Sequence, residues 1–370
     1  MLGNHMKTRP LRFATCTPVS FHANKYFYTR DTGLICKELQ ELEVPCQVIM
    51  PLPTREDDLP TNDLLRVPKR KLYSSAWWQK QDIDTVILYS WGDPRYTGIA
   101  KAIRKAGLKL IIHFDSSGEL HEHLQRSGNK IMNRLKDCII NKLRSLHLSY
   151  AHAITTSLPC AKTFHGDTYY GAAIANKCKE FPTPVDSCFQ YDGREKEARI
   201  ICTGNWSQSV KRAHVMTSTI QKLLTTDSSV QVDICGTTSS EMQRWHATLP
   251  MHMQQRIHLH GMCTHEQLRK LYMAASISLC TSESEGSHAA SAEALCCGCS
   301  VVCPPRPLLR VVHWYTSRDS GTVSAEDTPD SLSHALCNEL QKWQQGARNP
   351  HQIAAAWSPC FQVANLITML

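Results

Sequence analysis

The sequence lacks a long uncharged hydrophobic run, a hydrophobic leader and a nucleic-acid-binding signature. No apolar stretch approaches the roughly 18 residues of a membrane-spanning helix, so we predict no spanning segment. Residues 1–6 lack the apolar core of a secretory signal. No zinc-finger, helix-turn-helix or RNA-recognition pattern is present, so we expect no nucleic acid partner. These absences favour a cytoplasmic chain.

The 17 cysteines lack the spacing of a disulfide framework or of a zinc site. Cys16, Cys46 and Cys202 lie within apolar, strand-like runs, where a thiol packs as a small hydrophobe. Cys296 and Cys299 form one C-x-x-C pair, but no second pair stands at metal-site spacing. The odd number of thiols, without an export signal, is typical of a reducing compartment. We expect free thiols and no bound metal.

Positive charge exceeds negative charge by a modest amount. The 41 lysines and arginines and 33 acidic residues give a net charge of +8, which fits an anionic ligand or an acidic lipid surface. Two basic groups are Arg66, Lys69, Arg70 and Lys71 before Trp77 and Trp78, and Lys130, Arg134, Lys136, Lys142 and Arg144 on a predicted helix. A solvated face is the favoured interpretation, and peripheral contact with an anionic membrane is the alternative.

Strand-like apolar runs alternate with helix-like periodic segments along the 370 residues. We predict strands at 11–16, 44–50, 85–89, 108–114, 153–156, 199–203, 230–235, 256–260, 277–280 and 300–303. We predict helices at 34–42, 96–106, 132–148, 210–224, 239–247, 264–273 and 289–297. This alternation, broken by a proline-containing linker at 181–186, indicates an α/β fold of two parallel, doubly wound sheets.

The linker divides the chain into two predicted Rossmann-like domains, 1–185 and 186–345. A helical segment, 346–370, follows and could pack back on the first domain. Ligands of doubly wound sheets bind outside the carboxyl ends of the strands. We therefore expect the functional site in a cleft between the two domains.

The stretch after the predicted strand 277–280 carries the candidate chemistry. A loop leads from Glu285 through Gly286 and Ser287 into a helix that contains Glu293. Glycine and serine leave the backbone open to close approach by a ligand. Glu285 lies just past the strand end, and Glu293 lies further along the helix, where its carboxylate can accept hydrogen bonds from hydroxyl groups.

The predicted helix 289–297 offers an anion site at its start. The amides of Ala289 and Ala290 have no partner within the helix and present a partial positive charge suited to a phosphate. His288 precedes them, where it either contacts the ligand or caps the helix. Gly298 is expected to end the helix in the left-handed conformation.

These residues resemble the donor-site signature of glycosyltransferase family 4, the glycosyl transferases group 1 family of the GT-B fold. The matching residues are Glu285-Gly286, Glu293-Ala294 and residues 298–302. Residues 181–186, 201–204 with Lys211, 256–261 and 321–323 are similar to other parts of the family. The resemblance covers residues 199–332 well and the N-terminal half loosely.

The resemblance implies a retaining glycosyltransferase of two Rossmann-like domains that face each other across a cleft. The second domain would bind a nucleotide-diphosphate sugar, and the first would bind the acceptor, a glycan, a lipid-linked or a small molecule. Glu285 would position the sugar and Glu293 would bind the ribose. The family also implies that no metal or other cofactor is needed, because a lysine and helix amides neutralise the diphosphate.

The same resemblance assigns four residues after the predicted strand 199–203 to donor binding: Gly204, Asn205, Lys211 and Arg212. Gly204 opens the loop, and Lys211 stands where the family uses a lysine to neutralise the donor phosphates. The family usually carries an arginine just after the glycine, where Asn205 and Trp206 stand here. Arg212 replaces the glycine that usually follows the lysine, and it could supply the missing charge.

Two candidates lie in the first domain. His113 and Asp115 stand at the end of the predicted strand 108–114, and the family often has a histidine near the transferred sugar. A structural histidine and a helix-capping aspartate explain them equally well. Gly33, with Arg30 and Asp31, lies in the first strand-to-helix loop. In the family a glycine-bearing loop at this place approaches the donor or the acceptor, and a plain turn is the alternative interpretation.

Two other functions stay open at this point. A non-hydrolysing sugar-nucleotide epimerase of the same architecture would use acid–base carboxylates and no acceptor. A sugar-nucleotide-binding protein without catalysis would explain the missing arginine beside Asn205.

Overall fold

A computed structural model describes residues 11–61, 63–114, 130–157 and 171–369 of the chain. The chain forms two compact units: Met1–Pro184 with Val363–Leu370, and Val185–Gln362. Within the described ranges, every helix is too short or too polar to cross a membrane.

The first unit contains a seven-stranded parallel sheet in the order β3-β2-β1-β4-β5-β6-β7. Its strands are β1 (Phe13–Cys16), β2 (Cys46–Pro51), β3 (Leu64–Val67), β4 (Thr85–Tyr89), β5 (Lys109–Phe114), β6 (Ala153–Thr156) and β7 (Cys178–Glu180). The central strand β4 is buried along its whole length, as expected of a parallel sheet that is covered on both faces.

Described helices of the first unit are α1 (Asp31–Glu41), α2 (Lys69–Leu72), α3 (Ser75–Trp78), α4 (Thr97–Lys105), α5 (Lys130–Ser149) and α6 (Gly171–Ala175). Alternate residues of β2 enter two separate hydrophobic clusters, since Ile49 packs with one and Val48 and Met50 with the other. Successive side chains of a strand point to opposite faces, so the sheet has a core on each side. Val363 and Leu366 from the C-terminal end join the second cluster.

The second unit contains a six-stranded parallel sheet in the order β10-β9-β8-β11-β12-β13. Its strands are β8 (Glu197–Thr203), β9 (Gln231–Cys235), β10 (Ile257–Gly261), β11 (Ala275–Leu279), β12 (Ser300–Cys303) and β13 (Gly321–Val323). After β8, the strands β9 and β10 are added in turn on one side of it. The chain then crosses to the other side of β8, where β11, β12 and β13 are added in turn. The order therefore reverses between β8 and β11.

Helices of the second unit are α7 (Ala213–Thr226), α8 (Ser240–Thr248), α9 (Met251–Gln254), α10 (His265–Ala274), α11 (Ala289–Cys296), α12 (Arg310–Tyr315), α13 (Pro329–Gln344) and α14 (Pro350–Trp357). A capping box is present at the start of α10, with Thr264 and Gln267 each bonding the other's backbone amide. Gly298 has φ +80°, as expected of the residue that ends α11.

The predicted α/β fold with two parallel sheets is confirmed. The C-terminal segment divides: α14 belongs to the second unit, whereas the turn α15 (Ala364–Ile367) belongs to the first. The helix predicted at 210–224 is wrong at its start. A 3-10 turn occupies Ser209–Lys211, and Arg212, with φ +54°, separates it from α7.

Candidate active site

The loops after β8 and β11 start side by side at the carboxyl edge of the second sheet. These two strands are hydrogen-bonded neighbours, with Ile200 opposite Ile277 and Ile201 opposite Ser278. The strand order reverses between them, and such a switch point leaves a crevice in which doubly wound sheets bind ligands. Gly204 begins the loop after β8, and Glu285 lies in the loop after β11.

Gly236 allows the backbone to pack closely at this edge. Gly236, directly after β9, has φ +107°, and a Cβ atom there would collide with the carbonyl oxygen of Gly204. The amide of Gly204 donates to the carbonyl of Cys235 at 3.1 Å. The loop that carries Gly204 is therefore held against the end of β9 by backbone contacts that a side chain would prevent.

Lys211 and Glu285, assigned to the site from sequence, form an ion pair. The ammonium Nζ of Lys211 lies 2.6 Å from Oε1 of Glu285, and the two side chains are 18% and 12% exposed. His288 Nε2 lies 4.0 Å from the same carboxylate oxygen. Lys211, which is distant in sequence, thus meets Glu285 and His288 of one loop at the switch point.

Burial raises the pKa of the Glu285 carboxyl, but His288 and Lys211 lower it by more, so the pKa lies below its ordinary value. Burial lowers the pKa of His288 to about 4, so its imidazole is neutral near pH 7. The charge that stabilises the Glu285 carboxylate at neutral pH therefore comes from Lys211.

The start of α11 presents free backbone donors. His288 is the residue before the helix, with φ +44°, and its carbonyl accepts from the amides of Ser291 and Ala292. Among the described residues, no backbone carbonyl accepts from the amides of Ala289 and Ala290, which are half-buried. Within the part of the chain that the structure describes, these two amides are thus left without a backbone partner at the point where the chain leaves the Glu285 loop.

The loop before α11 is held in place from both sides. The hydroxyl of Tyr315 donates to the carbonyl of Ser287 at 2.8 Å, and the amide of Glu285 donates to the carbonyl of Leu308 at 3.2 Å. Nδ1 of His288 bonds the hydroxyl of Ser291 at 2.7 Å. Gly286 lies between these anchored residues.

Glu293 lies on the side of α11 that faces the end of β8. Its carboxylate accepts from the buried hydroxyl of Tyr272 at 3.3 Å, and that hydroxyl also lies 3.2 Å from the hydroxyl of Thr203, the last residue of β8. Burial, followed by the charge of Glu293, raises the pKa of Tyr272 well above its ordinary value. Tyr272 therefore remains a neutral donor that orients the Glu293 carboxylate.

Residues 197–342, which contain all of these groups, match the sequence model of the glycosyl transferases group 1 family. The resemblance is confirmed for this region. The second unit therefore contains a group 1 glycosyl transferase domain. No curated protein sequence matches the chain significantly.

Solved structures share the fold over almost the whole length of the chain. Anabaena Alr3699/HepE, solved with UDP, has a TM-score of 0.63 and 13% identity, covering 97% of this chain and 100% of its own. Sucrose-phosphate synthase from Thermosynechococcus elongatus has a TM-score of 0.62 and 13% identity, covering 96% of this chain and 97% of its own. The lipopolysaccharide outer core galactosyltransferase WaaB has a TM-score of 0.60 and 15% identity, covering 97% of this chain and 99% of its own. At these identities the likeness establishes the fold, GT-B.

The two residues after Gly204 in the glycosyl transferase domain have local structural roles. Asn205 accepts a hydrogen bond from the hydroxyl of Ser207 at 2.6 Å and so closes its own turn. Trp206 is buried, and its indole nitrogen donates to the carbonyl of Cys235 at 3.0 Å. Neither residue replaces the positive charge that the family usually places here.

A charged network beside the site was not predicted from sequence. Arg212 donates to Asp327 at 2.6 Å, Arg306 pairs with the other oxygen of Asp327, and Arg306 also reaches Glu283 at 3.2 Å. Arg306 follows the end of β12, so the rule that sites lie at strand ends could have found it. The side chain of Arg212 points into this network, and its backbone does not continue a helix from Lys211.

His113 in the first unit is a buried residue at the carboxyl end of β5. Its Nδ1 bonds the hydroxyl of Thr155 at 2.8 Å, and its ring stacks on Tyr89 at 4.5 Å between centroids. Burial lowers the pKa of His113 to about 3, so the imidazole is neutral. Asp115 lies outside the described residues. A Cβ at Gly33 would collide with the carbonyl of Phe27, so close packing of a turn explains this glycine.

Proposed function

We propose that the chain is a retaining glycosyltransferase that moves a sugar from a nucleotide-diphosphate sugar to an acceptor. One observation carries the proposal: Lys211, the free amides of Ala289 and Ala290, and Glu285 converge at the switch point of the sheet in the group 1 domain. Together they offer positive charge for a diphosphate beside a carboxylate for a sugar.

Lys211 and the start of α11 would hold the diphosphate. In the free protein the ammonium is neutralised by Glu285, and a bound diphosphate would share it. The fixed positive charge stabilises the negative charge that builds up on the leaving group. We infer that this arrangement replaces a metal ion as the charge sink, so transfer should continue in excess chelator.

Glu285 would position the sugar and stabilise the positive charge that develops at its anomeric carbon. In this scheme the bond from that carbon to the diphosphate oxygen breaks, and the acceptor oxygen bonds to the same face. The acceptor proton passes to the departing phosphate oxygen. No side chain is assigned as a covalent nucleophile, and the anomeric configuration is retained.

The remaining assignments follow the same scheme. Glu293, held by Tyr272, would accept hydrogen bonds from the ribose hydroxyls. His113 would act as a neutral hydrogen-bond donor to the sugar, because its Nε2 has no hydrogen-bond partner among the described residues. The first unit would bind the acceptor, a glycan, a lipid-linked or a small molecule.

A ligand panel tests the first step of the proposal. The melting temperature of the protein is measured with UDP, GDP, ADP and CMP sugars, because ligands that bind the native state raise it. UDP-glucose is included because Anabaena HepE was solved with it. We expect one nucleotide class to raise the melting temperature by several degrees, and no shift with any of them would contradict donor binding.

A product analysis separates the candidate functions. The donor found in the panel is incubated with and without acceptor candidates, and the products are read by NMR. A transferase releases the nucleoside diphosphate and forms a retained glycoside, an epimerase forms the epimeric donor without acceptor, and a binding protein leaves the donor unchanged. Only the first result supports the proposal.

A further inference from the structure

Helix α5 (Lys130–Ser149) of the first unit packs with its polar side inward. Arg144 and His147 are buried, and they bond the carbonyl of Gly92 at 3.0 Å and the hydroxyl of Ser90 at 2.8 Å. Asn141 is buried on the same side of the helix. These contacts fix the rotation of α5 about its axis, so the opposite side must face outward.

The outward side of α5 is a stripe of large aliphatic residues. Its members are between 48% and 71% exposed: Ile131, Met132, Leu135, Ile139, Leu143 and Leu146. Residues spaced by three or four lie next to one another on a helix, so the six form one continuous apolar face. Continuous exposed apolar faces of this kind are uncommon on soluble domains and mark surfaces that bind something.

The charge around this apolar stripe favours an anionic partner. The 20 residues of α5 contain one aspartate and five lysines and arginines, of which Arg144 is buried on the inward side. Lys136 and Lys142 are exposed beside the stripe. An apolar face flanked by lysines is typical of a helix that lies in the interface of an anionic membrane, with its aliphatic residues among the acyl chains and its lysines at the headgroups.

We propose that the apolar stripe of α5 docks the protein on the surface of an anionic lipid bilayer. The helix lies in the plane of the surface and does not span it, because its exposed lysines, Lys136 and Lys142, would not enter the hydrocarbon core. The proposal concerns a surface of the first unit and is independent of the transferase activity. Its readout is membrane binding alone.

Co-sedimentation of the full chain with lipid vesicles tests the proposal. One set of vesicles is pure phosphatidylcholine, and the other contains about one-third phosphatidylglycerol. The wild-type chain is expected to bind the anionic vesicles and to be released by high salt, because salt screens the lysine contribution. No binding to the anionic vesicles, or equal binding to both sets, would overturn the proposal.

Two variants with matched controls locate the binding surface. Ile139→Ser with Leu143→Ser should weaken binding by about tenfold or more, since both aliphatic side chains leave the interface. Leu42→Ser with Met251→Ser removes two exposed apolar residues elsewhere and should bind like wild type. Lys136→Gln with Lys142→Gln should weaken binding to the anionic vesicles by about fivefold per lysine. The matched control Lys69→Gln with Lys71→Gln on α2 should change this binding little.

A second copy of the chain is the alternative occupant of the stripe. In that case the wild type would be a dimer by light scattering, Ile139→Ser with Leu143→Ser would be a monomer, and neither would bind vesicles. That result would overturn the membrane assignment. Vesicle binding that is weakened equally in the test and control variants would also overturn it.

Discussion

Lys211 and Glu285 are opposite charges held at 2.6 Å in a place with little exposure to water. Removing two charges from water is costly, so a pair with little exposure is weak evidence for a role in stability and points to another role. We propose that this role is donor binding: the ammonium binds the diphosphate and the carboxylate faces the sugar. Each half of the pair therefore predicts a different defect when it is removed.

Glu285→Gln removes the negative charge and keeps the shape of the side chain. We expect kcat to fall about 100-fold or more, because charge stabilisation in the transition state is lost, while the dissociation constant of the donor changes by only a few fold. Single-turnover transfer and calorimetry measure the two quantities. Glu283→Gln is the matched control, since Glu283 lies in the same loop but pairs with Arg306. Equal effects of the two variants would show that Glu285 has no special role.

The sequence predicts the positions of the motif residues but not their contacts. Lys211, Glu285 and Glu293 are predicted as site residues because the family motif gives each of them a fixed position along the chain. The bond between Asp327 and Arg212 joins residues that are 115 positions apart. Such a pairing depends on how the loops pack, and nothing in the local sequence records it.

At the scale of elements, the 3-10 turn Ser209–Lys211 is the least expected feature. The apolar periodicity of 210–224 predicts one continuous helix. In the structure the loop after β11 bonds the carbonyls of this turn, with the hydroxyl of Thr281 donating to Lys211 at 3.0 Å and the amide of Glu283 donating to Val210 at 2.8 Å. These tertiary bonds occupy carbonyls that a longer helix would use, and so they favour the break at Arg212.

Thr281→Val tests whether this turn positions Lys211. The substitution keeps the side-chain shape and removes the bond to the Lys211 carbonyl, so stability should fall by about 1 kcal/mol. We also expect donor affinity to fall by about three- to tenfold, because the ammonium is no longer fixed. Calorimetry measures the affinity and urea unfolding the stability. Thr281→Ser retains the hydroxyl and should behave like wild type; if it loses as much affinity as Thr281→Val, the hydrogen bond is not responsible.

Other elements were predictable to different degrees. The strands 85–89, 153–156 and 300–303 match β4, β6 and β12 because they are short, apolar and bounded by polar turns. The strands β3 (Leu64–Val67) and β7 (Cys178–Glu180) were missed. Both are edge strands of the first sheet and contain charged residues, so the apolar signal that identifies buried strands is weak in them.

At the scale of the whole molecule, three buried histidines make stability depend on pH. Burial lowers the pKa of His113 to about 3, and it lowers those of His147 and His288 to about 4. These imidazoles are neutral in the folded chain, whereas the unfolded chain takes up their protons below about pH 6.5. The unfolded state therefore binds more protons, and stability falls as the pH falls through this range.

We predict that the free energy of unfolding is lower at pH 5 than at pH 7, by about 2 kcal/mol for each of these imidazoles. Denaturant titrations at the two pH values measure the change. His147→Gln removes one of the three groups and should show a smaller loss between the two pH values than the wild type. A stability that is unchanged between pH 7 and pH 5 would mean that these histidines are not buried in the neutral form.

The role of Lys211 in holding the diphosphate is tested by the binding of a nucleoside diphosphate to Lys211→Met, measured by calorimetry. The ligands are the diphosphate selected in the nucleotide panel and its nucleoside, which lacks both phosphates. We expect Lys211→Met to bind the diphosphate about 10- to 100-fold more weakly, the loss expected for a charge-assisted contact, and to bind the nucleoside as the wild type does. Lys222→Met, which removes a lysine paired with Asp330 on the surface of the same unit, should bind both ligands normally. Unchanged diphosphate binding by a folded Lys211→Met variant would show that Lys211 does not hold the donor phosphates.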